Sequence, residues 1–369
     1  MGQMADPVEK RRRVELLRDE VRRGLADFQA PPGAPRVFTY PLEDYVSEIE
    51  DEVFYEMETM LPEERGTHLF VRYILEEVLG TTNPDEADCF FLPLYFPVHD
   101  VSEIELGPTI ADLEFIGTGK KHILCSIWDI YPRPPVRRAN PFCPVGQGIL
   151  KRMEFIEGGL SWLDERFVLV TPECSIDLHP NDIGVLPLAL PFEPGFDPAD
   201  RPLLYSFCGM LHYDSMVTDH VRGTGNQPYW EALRRLQVPD VFIGSLDDAR
   251  ARFGSATTYR DLNRWSHFTL CPAGWARWSF RLTESLQAGS IPVILSDYYL
   301  KPFSAYVPWD RFALHLPESS LSRIDSVLRA FAVKKVAHLH RELDRSLSLL
   351  SIPAMARHFI AELSHRLGA

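Results

Sequence analysis

The sequence predicts an α/β protein with two domains, each built on a parallel β-sheet that helices cover on both faces. Short apolar runs typical of buried strands alternate with longer runs of helical periodicity along the chain. Its 369 residues exceed the size at which a single hydrophobic core stops growing, which favours two domains. A Pro-rich stretch at residues 186–202 divides the alternation into two series and is the best candidate for the linker.

An amphipathic helix is predicted at residues 7–29, ahead of the first series. Its apolar residues recur at three- and four-residue steps, namely at Val14, Leu17, Val21, Leu25 and Phe28. We expect this helix to pack on the globular body; contact with a partner or a membrane surface is the alternative. Strands of the first series are expected at 36–40, 89–94, 122–126 and 167–171, and helical patterns at 46–57 and 68–79.

The second series begins with an apolar strand at 204–209. Further strands are expected at 241–243, 268–270, 291–295 and 312–314, and helices at 229–236 and between the strands of the 268–295 segment. A helical tail follows over 321–367, with a break at 352–353. The predicted segments are an N-terminal helix at 1–30, a first α/β domain at 31–190, a second at 191–320 and C-terminal helices at 321–369.

Composition excludes several classes of protein. The formal net charge of −14 argues against nucleic acid as a partner, since phosphate binding requires a clustered cationic surface. The six cysteines show no metal-binding spacing and are expected to be free buried thiols in a reducing compartment. No segment has 18 uncharged apolar residues, and the N-terminus lacks the apolar core of a signal peptide. A soluble, cytoplasmic protein is therefore expected.

The segment 268–303 is the most informative part of the chain. It predicts a strand, a Pro-Gly turn, a helix and a second strand, a βαβ unit whose helix N-terminus favours an anion such as a diphosphate. Ser279 and Arg281 are predicted in the first helical turn, facing this anion. Glu284 follows Arg281 by three residues on the same helix face, where its carboxylate can accept both hydroxyls of a ribose. The alternative for Glu284 is an ion pair with Arg281 on the surface.

Two further residues of this segment are candidates for nucleotide contact. Gly274 would let the backbone approach the nucleotide, and Trp275 would stack on its base or sugar. The alternative for Trp275 is an ordinary place in the core. Gly289 is expected to terminate the helix.

The same segment resembles the exostosin family, glycosyltransferase family 47, through the pattern CP-x-G-x(4)-S-x-R-x(2)-E-x-L-x-A-G-x-IPVI-x-SD. The run NPDEADCFFLPL at 83–94 is similar to a second element of that family. The resemblance spans roughly residues 36 to 312. One departure is Ala273, where family members often carry a basic residue.

The resemblance implies a GT-B fold, with two Rossmann-like domains facing each other across a cleft and C-terminal helices crossing back to the first. It implies an inverting glycosyltransferase that moves a hexose or hexuronic acid from a nucleoside diphosphate sugar, with UDP as the favoured nucleotide, to a glycan hydroxyl. The second domain would bind the nucleotide sugar and the first the acceptor. Arg222 is then a further candidate, beside Arg281, to neutralise the diphosphate; an ordinary surface charge is its alternative.

Inverting transfer requires a general base from the first domain. Three residues after predicted strands are the candidates, Asp129, Asp100 and His99, followed by Glu43 and Asp44. We expect no metal and no cofactor, because no carboxylate pair is placed to hold a metal and arginine with a helix N-terminus can stabilise the leaving group.

Two alternatives to this function stay open at the level of sequence. One is a catalytically silent exostosin-like subunit that supports a partner transferase, and the other is a transferase that uses GDP-sugars. The expected partners are a nucleotide-sugar donor and a glycan acceptor, with no nucleic acid and no transmembrane segment. A homo- or hetero-oligomer is left open. A Golgi lumenal protein lacking its membrane anchor is the alternative location, since eukaryotic exostosins are anchored there.

Overall fold

A computed structural model describes residues 7–41, 62–95, 113–125, 163–172, 178–189, 197–209, 238–272, 279–297 and 299–368. Within these residues the predicted α/β class is confirmed, because the strands form two five-stranded sheets in which every recorded pairing is parallel. By compactness, the described residues up to 189 and from 350 onward form a first unit, and those from 197 to 349 form a second.

The described helices are α1 Pro7–Leu25, α2 Pro62–Tyr73, α3 Leu246–Phe253, α4 Tyr259–Trp265, α5 Arg281–Gln287, α6 Ile324–Ser346 and α7 Ile352–Leu367. The described strands are β1 Val37–Thr39, β2 Cys89–Tyr95, β3 Lys121–Cys125, β4 Phe167–Thr171, β5 Ile183–Gly184, β6 Leu203–Cys208, β7 Val241–Gly244, β8 Ser266–Pro272, β9 Ile291–Leu295 and β10 Leu314–Leu316. The helical patterns at 46–57 and 229–236 lie outside the described residues.

In the first unit, the strands follow the chain in the order β1-β2-β3-β4-β5. Every residue of β4 is buried, as a strand covered on both faces requires. Helix α1 buries the stripe Val14, Leu17, Val21 and Leu25 and packs against α2 and α7. The last helix of the chain, α7, thus belongs to the first unit although it follows α6 of the second.

His122 lies inside an aromatic cluster of the first unit. The Tyr40 hydroxyl is 3.0 Å from its Nε2, and the Phe90 ring stacks on its imidazole with centroids 5.2 Å apart. Burial lowers the pKa of His122 to about 4, because the apolar surroundings disfavour the imidazolium. His122 is therefore neutral in the folded protein at pH 7.

In the second unit, the strand order is β10-β9-β8-β6-β7, so the two strands of the predicted βαβ unit, β8 and β9, are direct neighbours. The strand expected at 312–314 begins two residues later, at Leu314. Its first predicted residues instead close a short 3₁₀ turn, in which the Ala313 N–H donates to the Trp309 carbonyl at 2.8 Å. The short helices α3 and α4 were not predicted.

Arg201 lies at the edge of the second sheet where the strands begin. Its guanidinium donates to the carbonyls of Ser266 at 2.7 Å and Asn263 at 3.3 Å, at the end of α4, and to that of Ala288 at 2.8 Å, just after α5. Gly289 follows with a φ of +66°, and it ends α5 as the sequence indicated. One buried cation thus connects the carboxyl ends of α4 and α5.

Two histidines pack beside Arg201. His267 Nδ1 and His340 Nε2 are 3.1 Å apart; His340 is buried and His267 is half-buried. Burial, together with the nearby Arg201 charge, lowers the pKa of His340 to about 3 and also lowers that of His267. Protonation of this pair would place a second cation beside a buried guanidinium.

These histidines predict that the protein loses stability on mild acidification. Their pKa in an unfolded chain is 6.5, whereas folding lowers it to about 4 for His122 and about 3 for His340. The unfolded state therefore binds more protons below pH 6.5, and stability that is full above this pH is lost as the pH falls toward the folded values. We expect a loss of about 2 kcal/mol for each histidine by pH 4.5.

Urea unfolding between pH 4.5 and pH 7.5 measures this loss. His340→Gln removes one titrating group, so the pH dependence of its unfolding free energy should be shallower than that of the wild type. If the unfolding free energy depended on pH equally in the two proteins, His340 would not contribute to the loss of stability in acid.

Candidate functional site

The candidate site lies where the strands of the second sheet end. Because all of these strands are parallel, the carboxyl ends of β6, β8 and β9 meet at one edge. Ligands of open α/β sheets bind outside such edges. The segment after β8 leads into α5, which carries Arg281 and Glu284.

Helix α5 presents these two side chains through its periodicity. Leu282 and Leu286, four residues apart, are buried, and α5 packs on β8 and β9. Arg281 and Glu284 are only half-buried. The sequence predicted this arrangement, since two residues three apart in a helix share one of its faces.

Arg281 reaches across to the end of β6. Its Nε and Nη2 donate to the Cys208 carbonyl at 3.3 and 3.0 Å, and its guanidinium lies 4.7 Å from the centroid of the Phe207 ring. A further N–H, on Nη1, contacts the Ser279 hydroxyl at 3.4 Å. A guanidinium has five N–H donors, so two remain after these contacts with the described residues. Arg281 is therefore a fixed cation that can still donate to an anion.

Gly209 makes this position of Arg281 sterically accessible. A Cβ at residue 209 would lie 2.5 Å from Arg281 Nη2 and 2.9 Å from the end of the Phe207 ring. Both distances are shorter than real Cβ contacts allow, so a side chain here would displace the guanidinium. Gly209 ends the strand predicted at 204–209, and it thus has a steric role that the sequence alone did not reveal.

Ser279 lies before the helix rather than in its first turn. Helix α5 begins at Arg281, and the Ser279 hydroxyl accepts from the Arg281 backbone N–H at 3.3 Å. The prediction that Ser279 lies in the first helical turn is therefore wrong, because Ser279 lies two residues before the start of α5. Its side chain positions Arg281 through this hydrogen bond and the contact with Nη1.

Glu284 is bonded to a residue that the sequence did not single out. The Tyr259 hydroxyl donates to Glu284 Oε2 at 2.6 Å. Burial and the adjacent Glu284 charge raise the pKa of Tyr259 well above its ordinary value, so the phenol stays protonated. The ion pair between Glu284 and Arg281, considered as an alternative from the sequence, is not among the contacts of Arg281 with the described residues.

Tyr259 is the first residue of α4, which has a full capping box. The Thr258 hydroxyl accepts from the Asp261 backbone N–H, and the Asp261 carboxylate accepts from the Thr258 N–H. The pattern Thr-x-x-Asp before Leu262 is the sequence signal that could have located this helix. No sequence signal pairs Tyr259 with Glu284, which lies 25 residues further along the chain.

The structure therefore brings together Arg281, Ser279 and Glu284 of the predicted set, and it adds Tyr259 and Gly209. The other predicted residues of the site lie outside the described residues: Gly274, Trp275, Arg222, Asp129, Asp100, His99, Glu43 and Asp44. Their assignments stay predictions.

Metal and thiol chemistry can be assessed for the described residues. Among them, no group of three or more His, Cys, Asp or Glu side chains is arranged to hold a metal ion. The four cysteines in this part of the chain, Cys89, Cys125, Cys208 and Cys271, are free and buried. Burial raises the pKa of Cys208 to about 11 and of Cys271 to about 12, so neither thiol forms a thiolate at neutral pH. No described helix is both long and apolar enough to cross a bilayer.

Two parallel α/β units in one chain, with the last helix returning to the first unit, define a GT-B-type architecture. Residues 150–331 match the Exostosin GT47 domain. This match confirms, over these residues, the resemblance to exostosin-type glycosyltransferases seen in the sequence.

Curated relatives extend the match along the chain. A probable beta-1,4-xylosyltransferase of Arabidopsis thaliana is 28% identical over 316 residues, which cover 79% of this chain and 70% of the relative. A probable glucuronosyltransferase of Oryza sativa subsp. japonica is 27% identical over 329 residues, covering 85% and 72%. Among solved structures, the apo structure of OtsA aligns with 95% of this chain and 85% of its own at 9% identity, with a TM-score of 0.41.

Proposed function

We propose that the protein is an inverting glycosyltransferase that moves a hexose or hexuronic acid from a UDP-sugar to a glycan hydroxyl. The observation that carries this proposal is the pairing of a cation and a carboxylate at one sheet edge. Arg281 is fixed at the end of β6 with N–H donors left among the described residues, and Glu284 stands one helical turn further along α5. A diphosphate and a ribose are the chemical groups that such a pair can bind together.

Arg281 would act on the leaving group in this proposal. Transfer breaks the bond between the anomeric carbon and the diphosphate, so negative charge grows on the departing phosphate oxygen. A guanidinium held against the Phe207 ring and the Cys208 carbonyl needs no reorganisation to stabilise that charge. Glu284 would hold the ribose and thereby fix the distance of the diphosphate from Arg281.

The general base is proposed among Asp129, Asp100 and His99. Asp129 follows β3, and His99 and Asp100 follow β2, within a few residues of each strand end. Strands β2 and β3 are parallel neighbours, so they end at the same edge of the first sheet. A carboxylate or imidazole beyond that edge has the chemistry to remove the acceptor hydroxyl proton.

The donor is tested by a thermal-shift screen of nucleotides followed by transfer assays. We expect UDP to raise the melting temperature more than GDP, and a UDP-sugar to transfer to a glycan acceptor. UDP-glucuronic acid and UDP-xylose belong in the panel, because relatives are named as glucuronosyl- and xylosyltransferases. Stabilisation by GDP alone would replace UDP with GDP in the proposal. Absence of transfer from every nucleotide sugar would favour the silent-subunit alternative.

We also predict that transfer needs no divalent metal, since Arg281 can supply the positive charge that a metal would bring to the diphosphate. Turnover in excess EDTA should stay within about twofold of turnover in buffer, because none of the proposed steps requires a cation other than Arg281. A complete loss of turnover that Mn²⁺ or Mg²⁺ restores would show that a metal shares the diphosphate site.

A further inference from the structure

Tyr259 and Glu284 form a short hydrogen bond that joins two helices. The phenol oxygen lies 2.6 Å from Glu284 Oε2, with the ring of Tyr259 packed against a small apolar cluster that includes Cys208 and Leu262. This cluster also contains Leu203 of β6. Tyr259 thus packs against residues of β6, the strand whose last carbonyl, that of Cys208, accepts from Arg281.

The two helices are themselves held in place on both sides of this bond. The capping box of Thr258 and Asp261 fixes the start of α4, immediately before Tyr259. At the opposite ends, Arg201 donates to carbonyls after α4 and after α5. The distance between Tyr259 and Glu284 is therefore set by rigid elements and not by a mobile loop.

A glutamate needs such an anchor to bind a sugar in one geometry. The last torsion of its side chain is broad, without sharp staggered wells, so the plane of an isolated carboxylate is poorly fixed. A phenol bonded to one oxygen selects one orientation of that plane. Burial and the adjacent Glu284 charge raise the pKa of Tyr259 well above its ordinary value, so the phenol stays protonated at neutral pH and can donate this bond.

We infer that Tyr259 is a positioning residue that orients the Glu284 carboxylate to accept the hydroxyls of the nucleotide ribose. This inference rests on the proposed function, since it names the residue that makes Glu284 selective for a ribose. If Tyr259 has this positioning role, its hydroxyl should affect how strongly the protein prefers nucleotides with ribose hydroxyls over nucleotides without them. A purely structural role for Tyr259 would lower stability without changing that preference.

The test compares the affinities of UDP and 2′,3′-dideoxy-UDP by calorimetry on the full chain. In the wild type, UDP should bind more tightly than the dideoxy nucleotide. In Tyr259→Phe, which keeps the ring, we expect UDP to bind about 5- to 20-fold more weakly and the dideoxy nucleotide to bind unchanged. The KM for the nucleotide sugar should rise by a similar factor while kcat stays within about twofold.

Tyr205→Phe is the matched control. The Tyr205 hydroxyl also donates to a carboxylate of the second unit, Asp325, at 3.1 Å, from a fully buried ring in the middle of β6. This variant removes the same chemical bond away from Glu284. We expect it to lower the melting temperature while the ratio of the two affinities stays at the wild-type value.

The two affinity ratios distinguish the positioning role of Tyr259 from the ribose-binding role of Glu284. If the wild type distinguishes UDP from its dideoxy form and Tyr259→Phe does so equally well, the positioning role is wrong and the proposed function stands. If the wild type binds both nucleotides equally, Glu284 does not bind the ribose, and both the inference and the site of the proposed function are overturned.

Discussion

Replacing Arg281 with methionine should reduce turnover by about 10²- to 10³-fold, the usual cost of removing one preorganised group that stabilises charge in a transition state. Methionine keeps much of the packing on the Phe207 ring but cannot donate to the Cys208 carbonyl or to a phosphate oxygen. Steady-state kinetics with the best donor measures the effect on kcat. Arg281→Lys retains the charge without the fork geometry and should fall between methionine and the wild type.

A second variant, Gly209→Ala, should displace the Arg281 guanidinium without changing Arg281 itself. Gly209→Ala places a methyl group 2.5 Å from the present position of Arg281 Nη2, so the guanidinium must move away from the end of β6. We expect turnover to fall in the same direction as in Arg281→Met, with unfolding midpoints showing that both variants are folded. Normal turnover in folded Arg281→Met would exclude Arg281 from stabilising the leaving group.

Replacing Glu284 with alanine should weaken UDP binding by one to three decades. The loss of two charge-assisted hydrogen bonds to a ribose costs about 2–4 kcal/mol, which corresponds to that change in Kd. The Tyr259 phenol would lose its acceptor as well, so a small decrease in stability is expected. Titration calorimetry with UDP measures the affinity directly.

Asp247→Ala is the control for Glu284→Ala. Its carboxylate belongs to the same unit, but its side chain is 94% exposed, and within the described part of the chain its contact is a 3.7 Å ion pair with Arg250. Such a pair contributes little to stability. UDP should bind this variant as it binds the wild type. Equal UDP affinities in Glu284→Ala and Asp247→Ala would remove Glu284 from the ribose site.

The sequence predicted the βαβ unit of the site closely because its signals are local. Strand β9 has the predicted bounds, Ile291–Leu295, since a buried apolar run stands between a glycine stop and a polar segment. The placement of Arg281 and Glu284 on one helix follows from their spacing alone. Local sequence patterns predict such elements correctly because the apolar residues that define the pattern are also the residues that pack in the core.

The contacts that complete the site depend on residues distant in sequence, and the sequence carries no signal for them. Tyr259 meets Glu284 only because α4 and α5 pack side by side, and Arg201 reaches their ends from before β6. Helix α4 has seven residues, too few for apolar periodicity to identify it. Its capping box was the one local signal, and it marks a helix start without indicating what the helix contacts.

In the proposed function, a nucleoside diphosphate binds at the carboxyl edge of the second sheet through Arg281 and Glu284. A crystal structure of the full chain with bound UDP is the decisive test of this binding site. We expect ribose hydroxyls within hydrogen-bond distance of Glu284, with Tyr259 still donating to its other oxygen, and a phosphate oxygen bound by Arg281 at the end of β6. A UDP molecule bound elsewhere, with Arg281 and Glu284 contacting only protein, would contradict it.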